Sequence, residues 1–200
     1  MKTVIILAGG ENERIGQTKA LLLLDEKVTI IDFMISNLKK MFNEIIVVTN
    51  ERDKFFHLSA KIVEDMIPGI GPIGGIHSGL IHSRNTHSFV IACDMPFVNV
   101  DLIKYMESTI EENDVIVPKT KNGYEALHAF YSKACILPIE TQIKRKNFNV
   151  TSFFAEVKTR EIKDSELENI DPLKITFFNI NAEEDYNKAK TIYKQNIKMR

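Results

Sequence analysis

Thr3-Val4-Ile5-Ile6-Leu7-Ala8-Gly9-Gly10 is a compact apolar, β-branched run that stops at paired glycines, and Glu11-Asn12-Glu13-Arg14-Ile15-Gly16-Gln17-Thr18-Lys19 follows it. A run of this kind bounded by glycine predicts a buried strand over 3–7. Similar runs recur at 44–49, 88–92 and 114–118, with a weaker one at 61–64. Between them Ile30, Ile31, Met34, Leu38 and Met41 repeat at helical spacing, as do Leu102, Ile103, Met106 and Ile110. Asn99 or Asp101 stands where the second of these helices needs a cap. Strands alternating with helices predict an α/β, Rossmann-like domain: a mostly parallel central sheet, right-handed crossovers and helices on both faces.

After Pro118 the rhythm changes. Residues 126–132 read as a strand, 135–144 and 149–156 as helical, 158–162 and 174–178 as strand-like, and a closing helix runs from Glu183 to about Lys194. This half is expected to add an antiparallel strand or two to the same sheet. Neither a Pro/Ser/Gly-rich linker nor an internal repeat divides the chain, so residues 1–200 are expected to form a single domain.

The balance of 26 basic against 27 acidic side chains removes the usual argument for nonspecific nucleic-acid binding. Cys93 and Cys135 form no Cys-x-x-Cys unit, which disfavours a disulfide framework or a structural zinc site and favours a reducing compartment. The apolar run at 4–8 is too short for a signal peptide, and no stretch approaches the ~18 apolar residues of a membrane span. The expected protein is soluble and cytoplasmic, with neither nucleic acid nor membrane as partner.

Ligands of open α/β sheets sit at the carboxyl ends of the strands, which directs attention to the loop after the first one. That loop satisfies neither the Walker A pattern nor Gly-x-Gly-x-x-Gly. Its glycines let main-chain N–H groups approach a base or phosphate, while Arg14 and Lys19 supply a planar fork and a point charge for a polyphosphate. From the residues alone, a glycine-rich surface turn with two solvated cations fits equally well.

Leu7-Ala-Gly-Gly10 followed by Arg14-x-Gly-x-x-Lys19 resembles the signature loop of nucleotidyltransferases with a glycosyltransferase-A-like fold. Gly71-Pro-Ile-Gly-Gly-Ile76, Cys93-Asp-Met-Pro-Phe97, Glu125-Ala-Leu-His-Ala-Phe-Tyr131 and Phe178-Asn-Ile-Asn181 narrow the resemblance to the molybdenum cofactor guanylyltransferases. The segments follow the family's order from about Val4 to Tyr186; Asn12 departs from it, since many relatives carry serine there. The resemblance implies a magnesium-dependent enzyme that transfers GMP from GTP to molybdopterin, with molybdoenzyme maturation proteins as further partners. It implies that Leu7, Ala8, Gly9 and Gly10 hold the nucleoside, that Lys19 and Arg14 hold the triphosphate, that Asn50 and Asp65 contact the nucleotide, and that Asp94 ligates the metal.

Alternatives stand beside these roles. Asp94 also reads as a turn or capping aspartate before Pro96, though its place at a strand end favours a cation. Asp65 reads equally as half of a solvated acidic pair with Glu64. Gly69-Ile-Gly71-Pro-Ile-Gly74 satisfies the dinucleotide pattern, but residues 64–68 separate it from its strand and Pro72 removes an N–H. It reads instead as a flexible loop over the active site and a close helix N-terminus. His77, His82 and His87 have no i, i+4 pairing for zinc, His128 reads as a packed strand histidine, and Cys93 as an inert core thiol. At the level of function, a transferase using CTP or a sugar 1-phosphate, or a nucleotide-sensing relative without catalysis, remains open.

Overall fold

The computed structural model describes residues 2–9 and 18–198. Its first strand, β1 (Thr3–Leu7), is buried along its length because both faces are covered. Val4 and Ile6 point into one hydrophobic core, Ile5 and Leu7 into the other, as the two-residue period of a strand requires. Strand β2 (Glu44–Val48) lies parallel on one side of β1, and β3 (Lys61–Val63) continues parallel beyond β2. Strand β4 (His87–Ala92) lies parallel on the other side of β1. Strands β5 (Val115–Thr120), β6 (Gly123–Tyr124), β7 (His128–Ser132) and β8 (Thr159–Lys163) complete the order β3-β2-β1-β4-β7-β5-β6, with β8 pairing β5 in parallel. β6 and β7 are the antiparallel members. The chain therefore steps outward from β1 to β3, then returns across β1 to β4, which makes the β1/β4 boundary the topological switch point.

The helices divide accordingly. α1 (Ile30–Leu38), which connects β1 to β2, lies on the Val4/Ile6 face, and α2 (Pro72–His82), connecting β3 to β4, lies on the Ile5/Leu7 face. Crossovers of one hand must change face where the direction of stepping reverses. α3 (Val100–Ser108), α5 (Asp164–Ile170) and α6 (Glu183–Lys198) join α1, while α4 (Ile136–Lys144) joins α2. Asn99, and not Asp101, caps α3: its Oδ1 accepts from the N–H groups of Asp101 and Leu102 at 3.0 and 3.1 Å. α2 packs closely on β1 because two glycines face the strand. A methyl group on Gly79 would sit 2.5 Å from Ile5 Cγ2, and one on Gly75 would sit 3.0 Å from Leu7 Cδ2.

Two expectations from sequence change. Residues 174–178 form no strand: Lys174 is left-handed (φ 50°), Ile175–Phe177 is a 3-10 turn, and Asp171 Oδ2 accepts from Thr176 N at 3.2 Å. Local bonds replace a ladder there. The helical stretch expected over 149–156 is a 3-10 helix, Val150–Glu156. The strand expected over 126–132 begins at His128, because residues 125–127 loop out between β6 and β7, with Glu125 N bonded to Pro118 O at 2.9 Å. Helix α5 and strand β6 were not anticipated.

Candidate active site

Four parallel strands deliver short polar extensions to one edge of the sheet. Leu7 ends β1 and leads into Ala8 and Gly9; Asn50, Asp65 and Asp94 each stand two residues past β2, β3 and β4. The ladder continues past the strands themselves, with Ala8 N on Val48 O (2.9 Å), Thr49 N on Val63 O (2.9 Å) and Cys93 N on Leu7 O (3.0 Å). Ala8, Thr49 and Cys93, which directly precede Gly9, Asn50 and Asp94, are consequently held by the sheet.

Asp94 and Lys19 meet at the switch point. Lys19 opens the 3-10 turn Lys19–Leu21, and its Nζ lies 3.7 Å from Asp94 Oδ2 and 3.2 Å from Asn181 Oδ1. Both side chains are largely covered, at 14% and 26% exposure. Asp94 Oδ1 is buried and has no hydrogen-bond partner among the described residues. Burial raises the Asp94 pKa above the ordinary carboxylate value, and the Lys19 ammonium partly offsets that rise. The neighbouring Cys93 thiol is pushed up to about 12 by burial first and the Asp94 charge second, so it stays protonated and unreactive.

A second cluster forms beside the first. Asp65 N donates to Asn50 Oδ1 at 3.1 Å, and Asn50 Nδ2 donates to Asp65 Oδ2 at 3.4 Å. Asp65 Oδ1 is buried without a partner among the described residues, and burial raises this pKa also. Glu64 is exposed while Asp65 is half-buried, so the two do not form a solvated acidic pair. Leu7 links the clusters. Its carbonyl accepts from Cys93 N, and its side chain shares with Asp65 Oδ1 the space in front of Gly75. Gly10 and Arg14 lie outside the described residues.

Residues 4–159 match the family model described as the MobA-like NTP transferase domain. The chain belongs to that family. It is a nucleotidyltransferase. Over 96% of its length it is 34% identical to the molybdenum cofactor guanylyltransferase of Desulfosudis oleivorans, covering 96% of that protein. It is also 34% identical over 95% of its length to the "Probable molybdenum cofactor guanylyltransferase" of Pelotomaculum thermopropionicum, covering 92% of it. The crystal structure of the molybdopterin-guanine dinucleotide biosynthesis protein A of Archaeoglobus fulgidus superposes with a TM-score of 0.83 at 25% identity, over 96% of this chain and 99% of that one.

Within this MobA-like transferase, Asn181 of the Phe178–Asn181 motif has a role that local sequence does not reveal: its contact with Lys19 spans 162 residues of chain. The anchoring of Thr18 is equally invisible to local pattern; its hydroxyl donates to Glu51 Oε2 at 2.7 Å while Lys54 pairs with both. Lys54 and then Thr18 hold the Glu51 pKa below the ordinary value. Gly69 and Gly71 have φ of 82° and 75°, and five residues separate the end of β3 from Gly69, so no dinucleotide turn forms. His128 is buried in β7, edge-on to Phe89 and Phe177, with burial driving its pKa down to about 3. No helix among the described residues is long and apolar enough to cross a membrane.

Proposed function

We propose that this MobA-like transferase moves the GMP group of GTP onto the terminal phosphate of molybdopterin, yielding the guanine dinucleotide form of the molybdenum cofactor and pyrophosphate. The reading is carried by the Lys19–Asp94 pair at the switch point, in a chain whose relatives bear the guanylyltransferase name. An oxygen of the molybdopterin phosphate attacks the α-phosphorus of GTP in line. The bond to the α–β bridging oxygen breaks, and its electron pair leaves with pyrophosphate. A phosphate monoester is already largely dianionic at neutral pH, so the attacking oxygen needs no general base. What remains for the protein is positioning and stabilisation of charge.

Main-chain groups of Leu7, Ala8, Gly9 and Gly10 would receive the nucleoside, with Asn50 and Asp65 contacting the base or sugar. Lys19, with Arg14, would meet the triphosphate. Asp94 fits a magnesium ligand: Oδ1 is buried and unpartnered among the described residues, and magnesium uses one or two carboxylates beside phosphate oxygens and water. No group of three His, Cys, Asp or Glu side chains gathers among the described residues, which agrees with such a sparse protein contribution. When bound, the ion would neutralise phosphate oxygens and orient them. We further propose that residues 1–200 act as one nucleotidyltransferase domain in the cytoplasm, with molybdoenzyme maturation proteins as partners downstream.

The deciding experiment measures pyrophosphate release with GTP, ATP, CTP and UTP, each with and without molybdopterin and magnesium. Release should require GTP, molybdopterin and magnesium together. Preference for CTP would move the chain to cytidylyl transfer, and release from none of the four would overturn the enzymatic reading of the site.

A further inference from the structure

The family model ends at residue 159, yet the Lys19–Asp94 pair is completed by residues well beyond it. Ile180 N donates to Asp94 O at 2.9 Å, and Asn181 Oδ1 accepts from Lys19 Nζ at 3.2 Å. One short segment therefore touches both members of the pair, one through main chain and the other through a side chain. Asn181 is exposed, so packing does not fix its place. Asp185 does: its Oδ2 accepts from the N–H groups of Asn181 and Ala182 at 3.1 and 3.0 Å, closing the turn into α6.

The helix is tied in turn to the segment that carries Lys19. Tyr186 Oη donates to Leu23 O at 2.6 Å, four residues after Lys19, and Tyr193 Oη donates to Asp25 Oδ2 at 2.7 Å. The other oxygen of Asp25 accepts from Lys27 N and Val28 N, both at 2.8 Å, inside the turn bridged by Leu23 and Thr29. Tyr193 is buried edge-on against Phe33 at 5.1 Å, which anchors this end of the brace in the core.

We propose that residues 180–193 form a strap that positions Lys19 against Asp94, with Asp185 and Tyr186 as its positioning residues. For the identity of the reaction, this inference rests on the guanylyl-transfer reading above. A lysine is a point charge on a flexible stem, so one carboxylate at 3.7 Å does not define where its ammonium sits. A second acceptor, itself oriented by Asp185 and braced through Tyr186, does. A displacement of ~1 Å at a reacting centre costs up to ~10²-fold in rate, so small losses in the strap reach the chemistry.

The test uses the full chain with Asp185→Ala, Asp185→Asn and Tyr186→Phe; the last keeps the ring under Lys190 and removes only the hydroxyl. Single-turnover pyrophosphate release at saturating GTP, magnesium and molybdopterin is read as a rate constant, which the fraction of active protein does not alter. GTP affinity is titrated separately, and hydrogen exchange is followed at 19–23 and 179–183. Asp185→Ala should lower the rate constant on the order of tenfold or more and Tyr186→Phe several-fold, with GTP Kd held within about twofold. Asp185→Asn, which retains an acceptor, should fall between wild type and alanine. Exchange should accelerate at 19–23 in Asp185→Ala, although among the described residues the Asp185 carboxylate bonds to the N–H groups of 181 and 182. Unchanged rate constants, a loss confined to amplitude, or unaltered exchange at 19–23 would overturn the strap. If wild type releases no pyrophosphate from GTP, the guanylyl-transfer reading fails, and exchange at 19–23 alone decides the strap.

Discussion

Replacing Lys19 with alanine separates an enzyme from a nucleotide-binding module. The ammonium stands 3.7 Å from Asp94 Oδ2 and its side chain is 14% exposed. Two unit charges at that separation attract by ~4–5 kcal/mol at an effective dielectric near 20. A lysine meeting the growing charge of departing pyrophosphate at similar range supplies a comparable term, most of it felt in the transition state, where the charge is largest. Loss of about 3 kcal/mol corresponds to ~10²-fold in kcat, and ground-state GTP should lose only about threefold in affinity. A second consequence concerns pH. Lys19 lowers a pKa that burial has raised, so its removal must raise the Asp94 pKa further. The carboxylate form is the one that can hold a cation; activity is lost as pH falls through this pKa, and the acidic limb of the rate profile should move to higher pH in Lys19→Ala. Lys19→Arg should restore little, since a planar fork does not replace a compact ammonium. Single-turnover kinetics across pH, paired with a nucleotide titration, give both numbers. A variant with near-normal kcat, weakened GTP binding and an unmoved acidic limb would refute the reasoning.

Three further outcomes follow from the same geometry. Asp94→Asn should keep its circular dichroism spectrum and Tm within a few degrees while losing at least ~10² in kcat; near-normal turnover would return Asp94 to the role of a turn residue. His128 has a folded pKa of about 3 against ~6.5 unfolded, so the unfolded chain binds more protons between those values and stability falls as pH drops below about 6.5. Relative to wild type, His128→Leu should regain roughly 2 kcal/mol at pH 4.5, beyond any change it makes at pH 7. Denaturant titrations compared at each pH cancel the opposite trend from buried Asp65 and Asp94, and equal pH slopes in both proteins would count against the assignment. Gly79→Ala puts a methyl 2.5 Å from Ile5 Cγ2 on a buried strand, so overpacking of ~1–3 kcal/mol should outweigh about 1 kcal/mol of helix propensity and lower Tm by a few degrees; a rise in Tm would show that α2 can shift away from β1.

What was legible in the sequence follows from where each determinant resides. β1, β2 and β4 read as continuous apolar runs because helices cover both of their faces, and a carboxylate directly after such a run reads as a strand-end ligand, which is how Asp94 could be singled out. The segment 174–178 is also apolar, since Ile175, Phe177 and Phe178 pack against the core, but the left-handed Lys174 decides its backbone and leaves no mark in hydropathy. Helix α5 buries only Leu167 of its seven residues, too few to draw a helical stripe. Its start is set instead by Glu166, whose side chain accepts from Lys163 N at 2.9 Å. Asn181 is the instructive case. Its chemistry depends on meeting a lysine 162 positions earlier, and that meeting depends on Asp185 and two tyrosines gripping the 23–25 turn. A strand carries its own end with it, so residues placed by β1 to β4 can be found by local pattern. A contact between the two extremes of the chain is a property of the closed fold, and such contacts are what hold Lys19 in place.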